Sequence, residues 1–312
     1  MPLKVLATLV MFSFISSGWT NYSFAGSQRD EQGDEWNPVS AGPITTWTAP
    51  LCGKGKFVVQ PFFFYNSTRG TFNPKGHFDS LSDADSKYQF QQQLFMQYGI
   101  ADRLEIDWQI LYQQNFAKKG GLKTDSSGIG DTYLFLRYCL LEDNGWCPHI
   151  TGLVQVKAPT GKFQHADPAK LGTDLMGATS GGGSWDHGYG ILLTQKIRPF
   201  LIHIDAIYSF PQEVRVDGVE TTYGNYLNYD FGIEYFLPRG FNLILEFNGF
   251  LQGDMARAGA HIRDSRVKYL AVAPAIGWSN DSIQMLLAYQ RTLSGTNTDA
   301  NNSVVFTFVY TF

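Results

Sequence analysis

The chain has 312 residues, 15% of them aromatic and only 17% charged, with a formal net charge of −4. A mildly acidic chain lacks the basic face that a nucleic-acid partner would favour, and so low a charged fraction is unlike an ordinary soluble surface. The length allows one large domain or two small ones.

The first residues read as a secretory signal. Lys4 supplies a short basic region, Val5 to Ile15 the apolar core, and cleavage is expected after Ala25, so residues 1–25 are a signal peptide. The core is too short to cross a bilayer as a helix, which makes it an export signal and not an anchor. Removing Lys4 takes the charge to −5. A polar stretch follows, carrying Asp30, Glu31, Asp34 and Glu35 without periodicity. Residues 26–54 are expected either to remain a periplasmic N-terminal segment or to fold inward as a small plug.

No later apolar run approaches the length of a spanning helix, and a membrane protein without spanning helices must satisfy its backbone in a closed barrel. Residues 55–312 divide into twelve segments of strand length: 56–66, 87–99, 102–113, 129–140, 149–159, 187–197, 200–210, 226–237, 240–251, 267–278, 282–291 and 302–312. Each is long enough to cross a membrane when tilted. The period-two pattern is clear in 102–113, where Leu104, Ile106, Trp108, Ile110 and Tyr112 oppose Arg103, Glu105, Asp107, Gln109 and Gln113. It recurs in 226–237 and 240–251. Such alternation gives each strand an oily and a polar face.

Alternation alone does not separate a soluble sandwich from a membrane barrel. The connections do. They alternate between short ones, at 99–102, 142–145, 198–199, 238–240 and 279–281, and long ones, at 67–86, 114–128, 160–186, 211–225, 252–266 and 292–301. Short periplasmic turns and long extracellular loops characterise outer-membrane barrels. An even strand count also puts both ends of the barrel on the short-turn side. In the last strand Phe306, Phe308, Tyr310 and Phe312 share one face. That strand resembles the terminal strand by which the barrel assembly machinery recognises its clients, with Phe308, Tyr310 and Phe312 as the signal. The fold class is therefore all-β: an antiparallel transmembrane β-barrel in the outer membrane of a Gram-negative bacterium, bordered by lipid and lipopolysaccharide.

Sorting side chains by face predicts the lumen. Its charged members are Glu105, Asp107, Arg137, Lys157, Lys196, Asp205, Asp230, Glu234 and Glu246. Chain direction places Glu105, Asp107 and Arg137 low, on neighbouring strands, so pairing is expected between Arg137 and either carboxylate. Charge in a confined lumen is costly unless paired or hydrated. The set reads as a selectivity constriction or as a structural network filling a narrow barrel. Inward Phe95 and Phe135 are candidates for an apolar patch in a transport path. Tyr88, Trp108, Tyr112, Tyr208, Trp278 and Tyr289 fit interfacial girdles.

Catalysis finds little support. Ser184-Trp185-Asp186-His187 is the most tempting cluster, but a hydrolase needs a base beside its nucleophile, and a glycine-rich loop tip is the simpler account. There is no zinc-binding His-Glu-x-x-His and no phosphate-cradling loop, so no metal or cofactor is implied. Of three cysteines, Cys139 and Cys147 bracket a turn and are a candidate disulfide in an oxidising periplasm; Cys52 is then unpaired or competes.

Three stretches carry a family resemblance: Tyr98-Gly99-Ile100-Ala101-Asp102-Arg103-Leu104-Glu105-Ile106, Gly128-Ile129-Gly130-Asp131-Thr132-Tyr133-Leu134 and Lys157-Ala158-Pro159-Thr160-Gly161. The organisation resembles the outer-membrane proteins labelled by the meta-pathway of phenol degradation. That resemblance implies a transporter-like barrel for small hydrophobic or aromatic compounds, with no catalytic residues to carry over. The expected function is an outer-membrane channel. The alternative is a structural or adhesive barrel acting through its long loops, and a barrel hydrolase ranks third.

Overall fold

A computed structural model describes residues 36, 38, 40, 42–161, 182–216, 218–280 and 283–312. The signal peptide, its cleavage point and most of the long 160–186 connection lie outside the described residues.

Twelve antiparallel strands form a ring: β1 Phe57–Phe72, β2 Ser86–Ala101, β3 Leu104–Lys119, β4 Thr132–Leu141, β5 His149–Ala158, β6 Asp186–Ile197, β7 Phe200–Pro211, β8 Tyr226–Phe236, β9 Phe241–Gln252, β10 Val267–Ser279, β11 Ile283–Thr296 and β12 Thr298–Thr311. Each pairs with its sequence neighbours, and β12 pairs back onto β1, from Val58 opposite Thr311 to Phe72 opposite Thr298. Closure leaves no open edge in the ring, as a spanning sheet requires.

Burial alternates along the strands, but the chemistry is reversed from that of a soluble protein. Leu243, Leu245 and Phe247 of β9 are exposed, whereas Asn242, Glu246 and Asn248 are buried. The outer belt of aliphatic and aromatic side chains meets lipid, and the inner surface is polar. Phe306, Phe308 and Tyr310 stand on the outer face of β12.

The strands run further than their apolar alternation foretold. Residues 114–128, expected as a loop, continue β3 to Lys119 and return as Leu122–Ile129, closed by Gly120 and Gly121 at φ 56° and 86°. A two-residue turn with both φ positive matches strand twist and suits glycine. Residues 292–301 likewise belong to the β11–β12 hairpin, which turns at Asn297 with φ 50°. Above the lipid the backbone ladder needs no oily face, so these hairpins carry little hydrophobic signal. The connections 211–225 and 252–266 contribute Val214–Val216, Val219–Thr222, Ala256–Arg257 and Ala260–His261 to a separate four-stranded rim sheet.

Between Leu122–Ile129 and β4 the wall carries a bulge. Ile129 pairs with Tyr112 and Tyr133 with Gln109, so Gly130, Asp131 and Thr132 span only Ile110 and Leu111. The bulge turns Asp131 into the barrel, where it is buried.

Candidate functional site: the barrel lumen

The periplasmic half of the lumen is occupied by the chain's own N-terminal segment. Trp36 packs edge-on against Phe236 at the short-turn end, with ring centroids 5.6 Å apart. Ser40 donates to Glu234 at 2.5 Å. The segment then bends at Ile44–Thr46, crosses the barrel past β7 and β6, and descends beside β3. It leaves next to Gly99, which accepts from Gly55 N at 2.7 Å.

Inward carboxylates hold this path. Glu246 on β9 accepts Ile44 N at 2.6 Å, Thr45 N and Thr46 N at 3.0 Å each, and the Thr45 and Thr46 hydroxyls at 3.0 and 3.1 Å. A buried carboxylate loses several kcal/mol of hydration, of the order quoted for single ions in proteins. Converging N–H and O–H donors replace that hydration, because bonds to an ionised acceptor are about twice as strong as neutral ones. Asp205 takes Trp47 N at 2.8 Å, and Glu105 takes Cys52 N at 2.5 Å. Thr194 and Thr151 fix Ala49 from both sides, at 2.9 and 2.7 Å.

Arg137 lies beneath this crossing. It pairs with Glu105 at 2.6 Å and stands 3.6 Å from Asp107, and it also donates to the carbonyls of Thr48 and Pro50. All three charged groups are essentially inaccessible, and neither oxygen of Asp107 has a hydrogen-bond partner. Glu234 is shared by His203 at 2.9 Å and Asn242 at 2.5 Å besides Ser40. Asp230 accepts from Asn248 and Gly249 at 3.2 and 3.3 Å. Lys196, half-buried near the periplasmic end, pairs with Asp143 at 3.4 Å.

Phe95 and Phe135 meet, with centroids 6.4 Å apart, and Trp47 of the segment packs edge-on against both, at 5.4 and 4.8 Å. This apolar patch is therefore covered by an indole, each aromatic contact contributing about 0.5–1.5 kcal/mol beyond area burial.

Among the described residues, the extracellular half of the lumen is not filled by the N-terminal segment. A cavity of about 540 Å³ is lined by Tyr133, Tyr223, Tyr226 and Phe250 together with Lys157, Asp131 and Asp186. Lys157 pairs with Asp186 at 2.7 Å and Asp131 at 3.6 Å. Asp131 also accepts Gly161 N and Gly182 N, and so ties both roots of the 160–186 connection to the wall. Tyr226 donates to Asp186 at 3.0 Å.

Ser184 donates to Asp186 at 2.7 Å, whereas His187 lies on the opposite, outer face and stacks on Phe210. Consecutive strand residues point apart, so serine and histidine do not form a catalytic couple. Cys52, Cys139 and Cys147 are free thiols in this structure, with Cys139 buried on the inner face of β4. Burial and the neighbouring Glu105 push the Cys52 thiol well above its ordinary pKa.

Sequence reasoning missed the partners in residues 43–53. The one available signal was the spacing of small hydroxylated residues, Thr45, Thr46 and Thr48, in a stretch without periodicity.

A closed ring with an oily exterior, a polar interior and short turns at one end defines an outer-membrane β-barrel of the channel type. The chain belongs to the family described as "Putative MetA-pathway of phenol degradation", whose model matches residues 64–308. Among solved structures, an outer-membrane channel from Pseudomonas putida F1 is 17% identical, with a TM-score of 0.68 over 89% of this chain and 100% of that one. The NanC porin, 9% identical over 81% of this chain and 98% of its own, gives a TM-score of 0.47. The KdgM porin, 5% identical over 81% and 99%, gives 0.46. These last two are too distant to carry an argument. No curated protein sequence matches the chain. The three family-like stretches have visible work: Gly99 abuts Gly53, Glu105 caps Cys52, and Asp131 and Lys157 anchor the long connection.

Proposed function

We propose that this barrel passes small, uncharged, hydrophobic or aromatic compounds across the outer membrane, through a lumen narrowed by its own N-terminal plug. One observation carries the reading. Four mid-lumen carboxylates that would otherwise attract cations, Glu105, Asp205, Glu234 and Glu246, are bonded to residues 40–52. Among the described residues, the spaces left are a cup lined by tyrosine and phenylalanine above the plug and a narrow one beside it. The charges thus work as a structural network and not as a selectivity filter. Phe308, Tyr310 and Phe312 serve assembly.

Planar-bilayer recordings test this. The full barrel is expected to give small conductances that toluene reduces further, and a barrel lacking residues 36–53 a large, toluene-insensitive one. A full-length barrel with the conductance of an open pore, indifferent to toluene, would sink the proposal. The projecting β3 hairpin and the rim sheet favour a second reading, in which these parts bind a surface partner. Trimming Lys118–Lys123 would then abolish function without touching conductance.

A further inference from the structure

Beside the plug lies a second cavity, of about 300 Å³, between Pro43–Thr48 and the wall formed by β1, β2 and β3. Its wall side is made of four glutamines, Gln60, Gln93, Gln97 and Gln109, interleaved with Phe62, Phe64 and Phe95. Among the described residues Arg137 is its one charged lining residue, and that guanidinium is already engaged by Glu105 and two carbonyls.

The glutamines form part of a longer track. Asn66 donates to Gln89, and Gln89 to Gln113 and Asn115 at the level of the upper cup. Gln109 donates to Gln93 at 2.7 Å at the level of the plug. Below them, Gln60 and Gln97 line both this space and a periplasmic cavity of about 440 Å³. Amides therefore run down one wall, where Gln97 also donates to Glu105 at 3.1 Å, while Asp205, Glu234 and Glu246 on β7 to β9 face them from across the lumen and are bonded to the plug.

We infer that the Gln93–Gln109 pair is a binding site, on the path past the plug, for uncharged molecules that carry a hydroxyl on an aromatic or aliphatic frame. An amide offers two N–H donors and an accepting oxygen. The single bond between Gln93 and Gln109 leaves the pair, whichever way it is turned, with a donor and an acceptor to spare in the cavity wall. A hydroxyl is the smallest group that both donates and accepts, so it satisfies both at once. The phenylalanines take the apolar frame. A carboxylate or ammonium would exchange water for neutral amides in a narrow space and meets no free counter-charge there. A plain hydrocarbon leaves the amides unsatisfied, and a site built to bond a hydroxyl rejects an analogue lacking it. The inference rests on the proposed passage of small uncharged compounds and adds to it where and by which group they are recognised.

The test uses the full-length barrel with Gln60→Cys as reporter, modified by a water-soluble thiosulfonate and followed by peptide mass spectrometry at that position. Benzyl alcohol is expected to slow modification at least tenfold relative to equal free concentrations of toluene or benzoate. The further pair Gln93→Leu and Gln109→Leu is expected to abolish that preference, read within the variant as the ratio of its rates with and without each solute. Equal protection by toluene and benzyl alcohol would overturn the hydroxyl site and leave passage of aromatic compounds standing. Protection by none of the three would overturn both, and undiminished preference in the leucine variant would assign recognition elsewhere.

Discussion

Replacing Glu246 tests the hold on the plug most directly. Glu246→Ala removes the acceptor of five hydrogen bonds from Ile44, Thr45 and Thr46 and leaves three backbone N–H groups without that partner. Bonds to a charged acceptor contribute about 1.5–3 kcal/mol each, but five sharing one carboxylate do not add. Three backbone donors left without an acceptor, at about 1–3 kcal/mol each and not fully additive, set the magnitude at about 3–5 kcal/mol. At about 1.4 kcal/mol per tenfold, the ratio of seated to released plug falls by about two to three and a half orders of magnitude. Single-channel recording should show frequent large openings absent from the unsubstituted barrel, and residues 44–47 should become open to protease. Glu246→Gln keeps one accepting oxygen but turns an N–H donor toward the other donors, so its opening frequency should fall between the two. Recordings of Glu246→Ala that superpose on those of the unsubstituted barrel, with the barrel folded by circular dichroism, would refute the claim that this carboxylate holds the segment.

Two other substitutions probe the same packing. Arg137→Met leaves Glu105 and Asp107 buried without their cation and is expected to destabilise the barrel by about 3–5 kcal/mol in urea unfolding. Adding Glu105→Gln and Asp107→Asn should restore most of that loss, and a triple variant no more stable than the single one would show that charge is not the cause. Gly232 faces the plug where a Cβ would come within 2.7 Å of Pro43. Gly232→Leu should therefore push the segment off its seat and raise conductance, and an unchanged conductance would mean that the plug can shift without releasing.

Most of the barrel was legible in the chain. The outer face of β9, Leu243, Leu245 and Phe247, and its inner face, Asn242, Glu246 and Asn248, read directly from alternation, because lipid and lumen impose opposite demands on successive residues. The loop-length pattern supplied sidedness. Strand ends were less legible: β3 runs on to Lys119 and β11 to Thr296, beyond the lipid, where the ladder continues without an oily face.

The candidate site divides along the same line. Glu105, Asp107 and Arg137 could be placed on adjacent strands at one depth from their numbering alone, since antiparallel register is a local rule, and the pairs Glu105–Arg137 and Asp107–Phe135 follow it. That Glu246 holds Ile44–Thr46, that Asp205 holds Trp47, and that Phe95 and Phe135 are covered by an indole are contacts between residues more than forty positions apart in a segment with no period of its own. Alternation by itself determined which side chains enter the lumen, because a strand has only two faces. What fills the lumen was decided by tertiary structure alone, because an irregular segment is positioned by the donors and acceptors it meets and not by any pattern within itself.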